Sequence, residues 1–301
     1  MPFGSQTIIF LMIIAGALLM QWNIIRYAIF LNGMNDVISA GDKKSMALRA
    51  AGLALLIFFL LGYLFTAIFG KPDFVMGGIL FGGSVFVWIV LNIMFNLTDV
   101  VKNRTLEISE MLIGVIEARD PNLSGHSLYV RNLTKLIYKR LPLSLKSKIN
   151  PVSIEYAALM HDVGKLAVPE AILNKPSRLD DDEWKIMKTH PIAGVQMLKP
   201  IKSFEPIIPW IQYHHERIDG KGYYGLKGKE IPLESRIICV ADSYSAITMK
   251  RAYKDTKTYE EGVAILKDCA GSQFDTQIVD IFVSIPKKEV VACIPQSVEA
   301  L

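Results

Sequence analysis

Residues 161–165 read His161-Asp162-Val163-Gly164-Lys165. The stretch sets an imidazole beside a carboxylate, with a lysine three positions after the carboxylate. The chain has five histidines, and the other four are His126, His190, His214 and His215. Successive gaps are 35, 29 and 24 residues, and the last two histidines are adjacent. A helix rises 1.5 Å per residue, so a helix of about 12 residues, a turn and a return helix use roughly 25–35 residues. Such gaps bring a side chain back to one level of a helical bundle each time. Asp242 lies 27 residues past His215, in Cys239-Val240-Ala241-Asp242-Ser243, and continues the series. Taken singly, a histidine is ordinarily just a hydrogen-bonded residue. Jointly, five imidazoles and two carboxylates at these intervals suit two divalent ions, with Asp162 able to bridge through its two oxygens. Imidazole and carboxylate without thiolate favour iron or manganese over structural zinc.

The segments between these residues read as helices. Val130, Leu133, Ile137 and Leu141 repeat at helical spacing, and Pro142 ends the run. Asn150-Pro151 opens the next helix with a cap and an N1 proline. Asp180 caps another, with Asp181, Asp182 and Glu183 in the first turn, where negative charge suits the helix dipole. Thr258 and Glu261 form a capping box, and Asp275 is expected to cap the last helix. No stretch alternates like a strand, and 219–228 reads as a glycine-rich loop. The expected fold class is all-α.

Upstream the character changes. Of 33 Lys/Arg and 29 Asp/Glu in 301 residues, only five and four fall in residues 1–100. Residues 1–25, 50–70 and 74–98 carry no charge at all. Each is long enough to cross a hydrocarbon core of about 30 Å, which takes roughly 20 helical residues. Three transmembrane helices are expected near 7–26, 50–69 and 74–95. The first has no basic n-region and is too long for a signal peptide, so it is expected to be retained. Arg26, Lys43, Lys44 and Arg49 flank the first connection, and Lys102 and Arg104 follow the third span. Basic residues stay on the cytoplasmic side, which predicts a multi-pass protein of the cell inner membrane with its C-terminal part in the cytoplasm. A net charge of +4 is no argument for binding a nucleic-acid polymer. Cys239, Cys269 and Cys293 fit no disulfide or metal pattern.

Met94, Val101, Ile108 and Val115 fall seven apart, with Leu97, Met111 and Ala118 in companion positions and Arg104 interrupting them. This heptad-like seam suits either a parallel homodimer or a helix packing one face on its own domain. The domain plan is then a membrane region, 1–96, a connector helix, 97–119, a metal-binding domain, 120–285, and a tail, 286–301, without motif and expected to be loose.

The motifs resemble those of a known family. His161-Asp162-Val163-Gly164-Lys165 resembles the HD-x-G-K signature of the HD-GYP phosphodiesterases, in the HD superfamily of metal-dependent phosphohydrolases. His214-His215-Glu216-Arg217-Ile218-Asp219-Gly220-Lys221-Gly222-Tyr223 resembles their HHE-x-x-D-G-x-G-Y motif. Glu117-Ala118-Arg119-Asp120-Pro121, Gly125-His126-Ser127, Lys227 to Leu233 and Ala270 to Asp275 resemble further family segments. The likeness runs from about 105 to 284 and does not cover the membrane third.

The resemblance implies an all-α bundle that hydrolyses cyclic di-GMP to pGpG or on to GMP. It implies one metal held by His126, His161, Asp162 and Asp242, and another by Asp162, His190, His214 and His215. It places Lys165 at the scissile phosphate, with Arg251 and Lys254 holding phosphate. Two such metals about 3.5–4 Å apart would lower the pKa of a shared water, whose hydroxide attacks phosphorus. Glu216 is a candidate to orient a histidine ligand, and Glu117 either does likewise or caps a helix contact. The chain departs from the pattern at Gly222-Tyr223-Tyr224, where a proline is deleted, at Ala252 in place of proline, and at Asn122 in place of a third-metal glutamate. The shortened loop keeps open another cyclic dinucleotide or nucleotide as substrate, and a silent receptor as a third reading.

Overall fold

Residues 3–34, 43–117, 125–249 and 256–295 are described in a computed structural model of the chain. The chain divides into two compact units, Met1–Thr105 and Leu106–Leu301. Helices account for nearly all regular structure, with no β-strand among the described residues.

The first unit holds α1 (Phe3–Met34), α2 (Lys43–Phe69) and the first part of α3 (Phe74–Glu117). Gln6–Leu31, Met46–Phe69 and Phe74–Val101 are long and apolar enough to cross a membrane. The first and third run past the ends expected from charge alone. Arg26 does not stop α1, because its guanidinium donates to Asn92 Oδ1 at 3.1 Å and lies 5.0 Å over the Phe95 ring. Apolar side chains such as Phe10, Leu18, Phe58, Phe65 and Phe86 point outward. Inside, Met20, Leu56 and Tyr63 form a small core. A lipid-facing bundle must satisfy its polar groups internally. Here Ser84 Oγ donates to Gly16 O at 2.8 Å, Tyr63 Oη donates to Leu80 O, and Asn23 Nδ2 donates to Ser84 O at 3.2 Å. Gly16 leaves the room: a Cβ there would lie 2.8 Å from the Tyr63 ring.

The second unit begins with the end of α3 and continues through α4 (His126–Arg140), α5 (Leu143–Lys146), α6 (Pro151–Met160), α7 (Glu170–Leu173), α8 (Asp181–Met187), α9 (His190–Leu198), α10 (Ile208–Gln212), α11 (Leu233–Thr248), α12 (Tyr259–Asp268), α13 (Thr276–Val283) and α14 (Lys287–Val291). The caps fall where the sequence puts them. Asn150 Oδ1 accepts from Val152 and Ser153 N–H, and Asp180–Glu183 and Thr258–Glu261 form capping boxes. The core is a set of fully buried aliphatics from α4, α6 and α11, including Leu133, Ile137, Ile154, Leu159, Ile237 and Val240. Each such side chain contributes about 1.5–3 kcal/mol on burial. These three helices fix the frame on which the metal-binding candidates sit.

Two expectations need amending at the C-terminus. Asp275 caps α13, but α13 is not the last helix. Residues 287–295 are not a loose tail: Val290 is buried, and Asn132 Nδ2 donates to Cys293 O at 2.9 Å. A five-residue helix is too short to show a period, so nothing in its pattern announces it. The connector is helical as expected. Its face at Ile113 and Glu117 is buried, while Leu97, Val101, Ile108 and Met111 are each more than half exposed. Ala118 lies outside the described residues.

Close packing explains one residue that sequence motifs leave unexplained. A Cβ at Gly164 would lie 1.8 Å from His190 O and 2.4 Å from Gly194 N. The 3-10 turn Val163–Ala167 therefore lies directly on α9. Gly164→Ala forces these segments apart and is expected to lower stability by about 1–3 kcal/mol or more. Denaturant unfolding of the purified chain measures this, and an unchanged midpoint would contradict the contact.

Candidate metal centre

Three of the five histidines stand just past a helix end. His161 caps α6, His190 follows α8, and His214 follows α10. The last turn of any helix leaves carbonyls without an intrahelical partner. Each histidine fills one with its Nδ1–H: His161 to Ala158 O at 2.8 Å, His190 to Met187 O at 2.9 Å, and His214 to Ile211 O at 2.6 Å. A carbonyl oxygen only accepts, so Nδ1 carries the hydrogen and Nε2 presents its lone pair.

The lone pairs converge on Asp162, which is 6% exposed. Its two oxygens face different histidines. Oδ2 lies 3.3 Å from His161 Nε2 and 3.9 Å from His126 Nε2. Oδ1 lies 3.3 Å from His190 Nε2 and 4.0 Å from His214 Nε2. Asp242, on α11, stands on the first side, with Oδ1 3.2 Å from His126 Nε2 and 3.8 Å from His161 Nε2. His215 stands on the second, its ring centroid 4.0 Å from that of His214 and 5.1 Å from that of His190. Ligand atoms of Asp162, His190, His214 and His215 lie within 4.8 Å of one another, as do those of His126, His161 and Asp162.

The donor set fits metal ions. His161 Nε2, His190 Nε2, His214 Nε2 and Asp162 Oδ1 are buried with no hydrogen-bond partner. A buried polar atom left unpaired costs about 1–3 kcal/mol. Four such atoms turned toward one point are accounted for by cations that accept their lone pairs. The protonation states agree. Burial holds His126 and His214 below the usual imidazole range and brings His215 down to about 3. Burial opposes ionisation of Asp162 and Asp242, but Lys165 and His161 beside the first, and His126 beside the second, hold both below the usual carboxylate range. His161 behaves otherwise: burial is the largest influence and lowers its pKa, but Asp162 and Asp242 together raise it above the usual imidazole range.

Lys165 joins the cluster from the 3-10 turn, with its Nζ paired to Asp162 Oδ2. Arg251 and Lys254 lie outside the described residues, as does Asn122. Glu216 does not orient a histidine. It is buried, and its two oxygens accept the N–H groups of Tyr224 at 2.6 Å and Leu226 at 2.7 Å, tying down the shortened loop. Glu117 accepts from Gly125 N at 2.7 Å and Ser127 N at 2.8 Å. It thus caps α4 from α3, on both sides of His126. Sequence reasoning missed Ser245, whose Oγ lies 2.9 Å from His126 Nδ1, and the Tyr223 ring, 4.7 Å from that of His215. Ser245 sits one helical turn after Asp242 on α11, so its face was available as a signal.

Curated relatives share this part of the chain. A probable cyclic di-GMP phosphodiesterase of Vibrio cholerae is 34% identical over 185 residues, covering 57% of this chain and 42% of its own length. A 3'3'-cGAMP-specific phosphodiesterase of the same organism is 35% identical, over 54% of this chain and 35% of its own. A cyclic di-GMP phosphodiesterase response regulator of Xanthomonas campestris is 38% identical, over 60% of this chain and 48% of its own. The chain thus spans less than half the length of each. With residues 110–278 matching the HD domain model, and a helical bundle bearing the His-Asp pair at its centre, the chain belongs to the HD domain family.

Proposed function

We propose that this chain is a membrane-anchored, metal-dependent phosphodiesterase that hydrolyses a cyclic dinucleotide, cyclic di-GMP foremost, to pGpG or GMP. The observation that carries the reading is the division of Asp162: each oxygen faces its own pair of histidine Nε2 atoms. Such a carboxylate suits a bridge between two ions. Names of the relatives support the substrate class, which includes both cyclic di-GMP and 3'3'-cGAMP. The second of these favours an alternative reading, hydrolysis of a mixed cyclic dinucleotide, to which the shortened loop at Tyr223-Tyr224 is relevant. An intact ligand set speaks against a silent receptor.

Two divalent ions in this site, iron or manganese by donor type, would activate water and offset charge on the phosphate oxygens. The residues set the stage for them. His126, His214 and His215, kept neutral by burial, offer lone pairs at neutral pH. Asp162 and Asp242, kept ionised, supply the negative charge that holds cations. Lys165 would turn from Asp162 to the phosphate once the carboxylate is engaged. Arg251 and Lys254 would hold the substrate's phosphates. The three apolar helices would anchor the chain in the cell inner membrane, with basic residues placing the HD domain in the cytoplasm. The exposed seam of Leu97, Val101, Ile108 and Met111 supports a parallel homodimer through α3.

The test is incubation of the full chain, loaded with Mn(II) or Fe(II), with cyclic di-GMP and separation of products by chromatography. Turnover is expected in the wild type and none in Asp162→Ala; equal turnover in both would sink the proposal. Chelation is expected to stop turnover and lower the melting temperature, and added Mn(II) to restore both, since ligands that bind the folded state stabilise it. Glu117→Gln replaces an acceptor with an N–H2 group beside the α4 amides. It is expected to weaken metal binding at His126 by about 10–100-fold, with turnover recovering at high metal. Competitive metal titration measures this, and an unchanged affinity would mean that Glu117 holds only the fold.

A further inference from the structure

Tyr223 has two sides. One faces the metal centre, with its ring centroid 4.7 Å from His215 and 6.4 Å from His190. The other lines an open groove of about 640 Å³, together with Asp181, Trp184, Lys185 and Lys188. Lys188 Nζ lies 5.5 Å over the Tyr223 ring. Trp184 stands one helical turn before Lys188, so both project from the same face of α8. An indole in a core is normally covered, but Trp184 is 45% exposed. The groove therefore combines an open aromatic face, cationic N–H donors and a carboxylate, separated by Tyr223 from His190 and His215.

That combination matches one base. Aromatic faces stack on any nucleobase, but guanine alone pairs O6 and N7 acceptors with donors on its other edge. We propose that the groove is a guanine subsite: Trp184 stacks on the base, Lys188 donates to O6 or N7, and Asp181 accepts from N1–H and N2–H2. Adenine has a single N6–H2 donor and lacks the adjacent N1–H and N2–H2 pair. The inference rests on the cyclic dinucleotide reading above, since it supposes a nucleotide whose phosphate sits at the metal centre. It assigns to α8 the discrimination between bases, apart from the chemistry at Asp162.

The test is equilibrium binding to the metal-loaded full chain, with GMP and ribose 5-phosphate as probes. The two share a phosphate and sugar and differ by the base. GMP is expected to bind about tenfold or more tightly than ribose 5-phosphate. Trp184→Ala should remove that advantage, Trp184→Phe should keep most of it, and Asp181→Ala should narrow the preference for GMP over AMP. In turnover, Trp184→Ala should raise KM for cyclic di-GMP by a similar factor and leave kcat within about twofold. Equal binding of GMP and ribose 5-phosphate, or an advantage that survives Trp184→Ala, would overturn the subsite. So would Trp184→Phe behaving as Trp184→Ala, because the aromatic face would then not be the reason. A wild type that binds GMP by this pattern but cleaves no cyclic dinucleotide would instead overturn the assigned reaction and leave the subsite standing.

Discussion

A carboxylate carried into a protein interior must find charge or hydrogen-bond donors there, or it becomes protonated. Asp162 is 6% exposed and remains an anion, with Lys165 and His161 as its principal support. Much of the second unit can be understood from that single demand. Five helices, α4, α6, α9, α10 and α11, bring their ends or faces to this cluster. The histidines that meet it are not free to turn, because three of them spend their Nδ1–H on the carbonyl three residues earlier. One hydrogen bond thus closes a helix end, sets a tautomer and aims a lone pair. A bundle that only needed a core would have no reason to leave four buried polar atoms unpaired beside one another.

The same centre depends on backbone approach. His190 reaches Asp162 only because the turn that carries Lys165 lies against α9 with no side chain between them at Gly164. Gly222 does comparable work at the other side, where a Cβ would lie 2.6 Å from Glu216 Cα. Arg217 reinforces that side: it donates to both oxygens of Asp219 at 2.7 and 3.0 Å and to Gln273 Oε1 at 3.1 Å. The segment around Gln273 and the loop after His215 are therefore one structural piece, although 56 residues separate Arg217 from Gln273.

Features that depend on local spacing were legible in the sequence. The caps at Asn150, Asp180, Thr258 and Asp275 follow from residues two or three positions apart, and the apolar helices from the absence of charge. The histidine intervals were legible too, because a bundle returns its chain at a regular pitch. What the sequence hid were contacts made by chain path. Glu117 and Glu216 each accept two backbone N–H groups eight to ten residues away, across a loop whose course no period encodes. Glu216, read as a candidate to orient a histidine, holds backbone; Glu117 takes the second of its two readings and caps a helix. The helix α14 stayed hidden for the opposite reason: it is too short to carry a period.

The contact at Glu216 also gives a physical account of the loop's departure from the family motif. A buried carboxylate with two oxygens needs donors, and this one finds them in the amides of Tyr224 and Leu226. Proline has no N–H to give. A proline at 224 would leave one oxygen of Glu216 buried and unmatched, at a cost of about 1–3 kcal/mol. With the proline deleted, the loop is shorter and its next residue can donate. Tyr224 then turns its ring to Tyr213, 5.7 Å away, while Tyr223 stays on His215. The two neighbouring rings thus serve different sides of the loop, Tyr223 against the histidine cluster and Tyr224 against Tyr213.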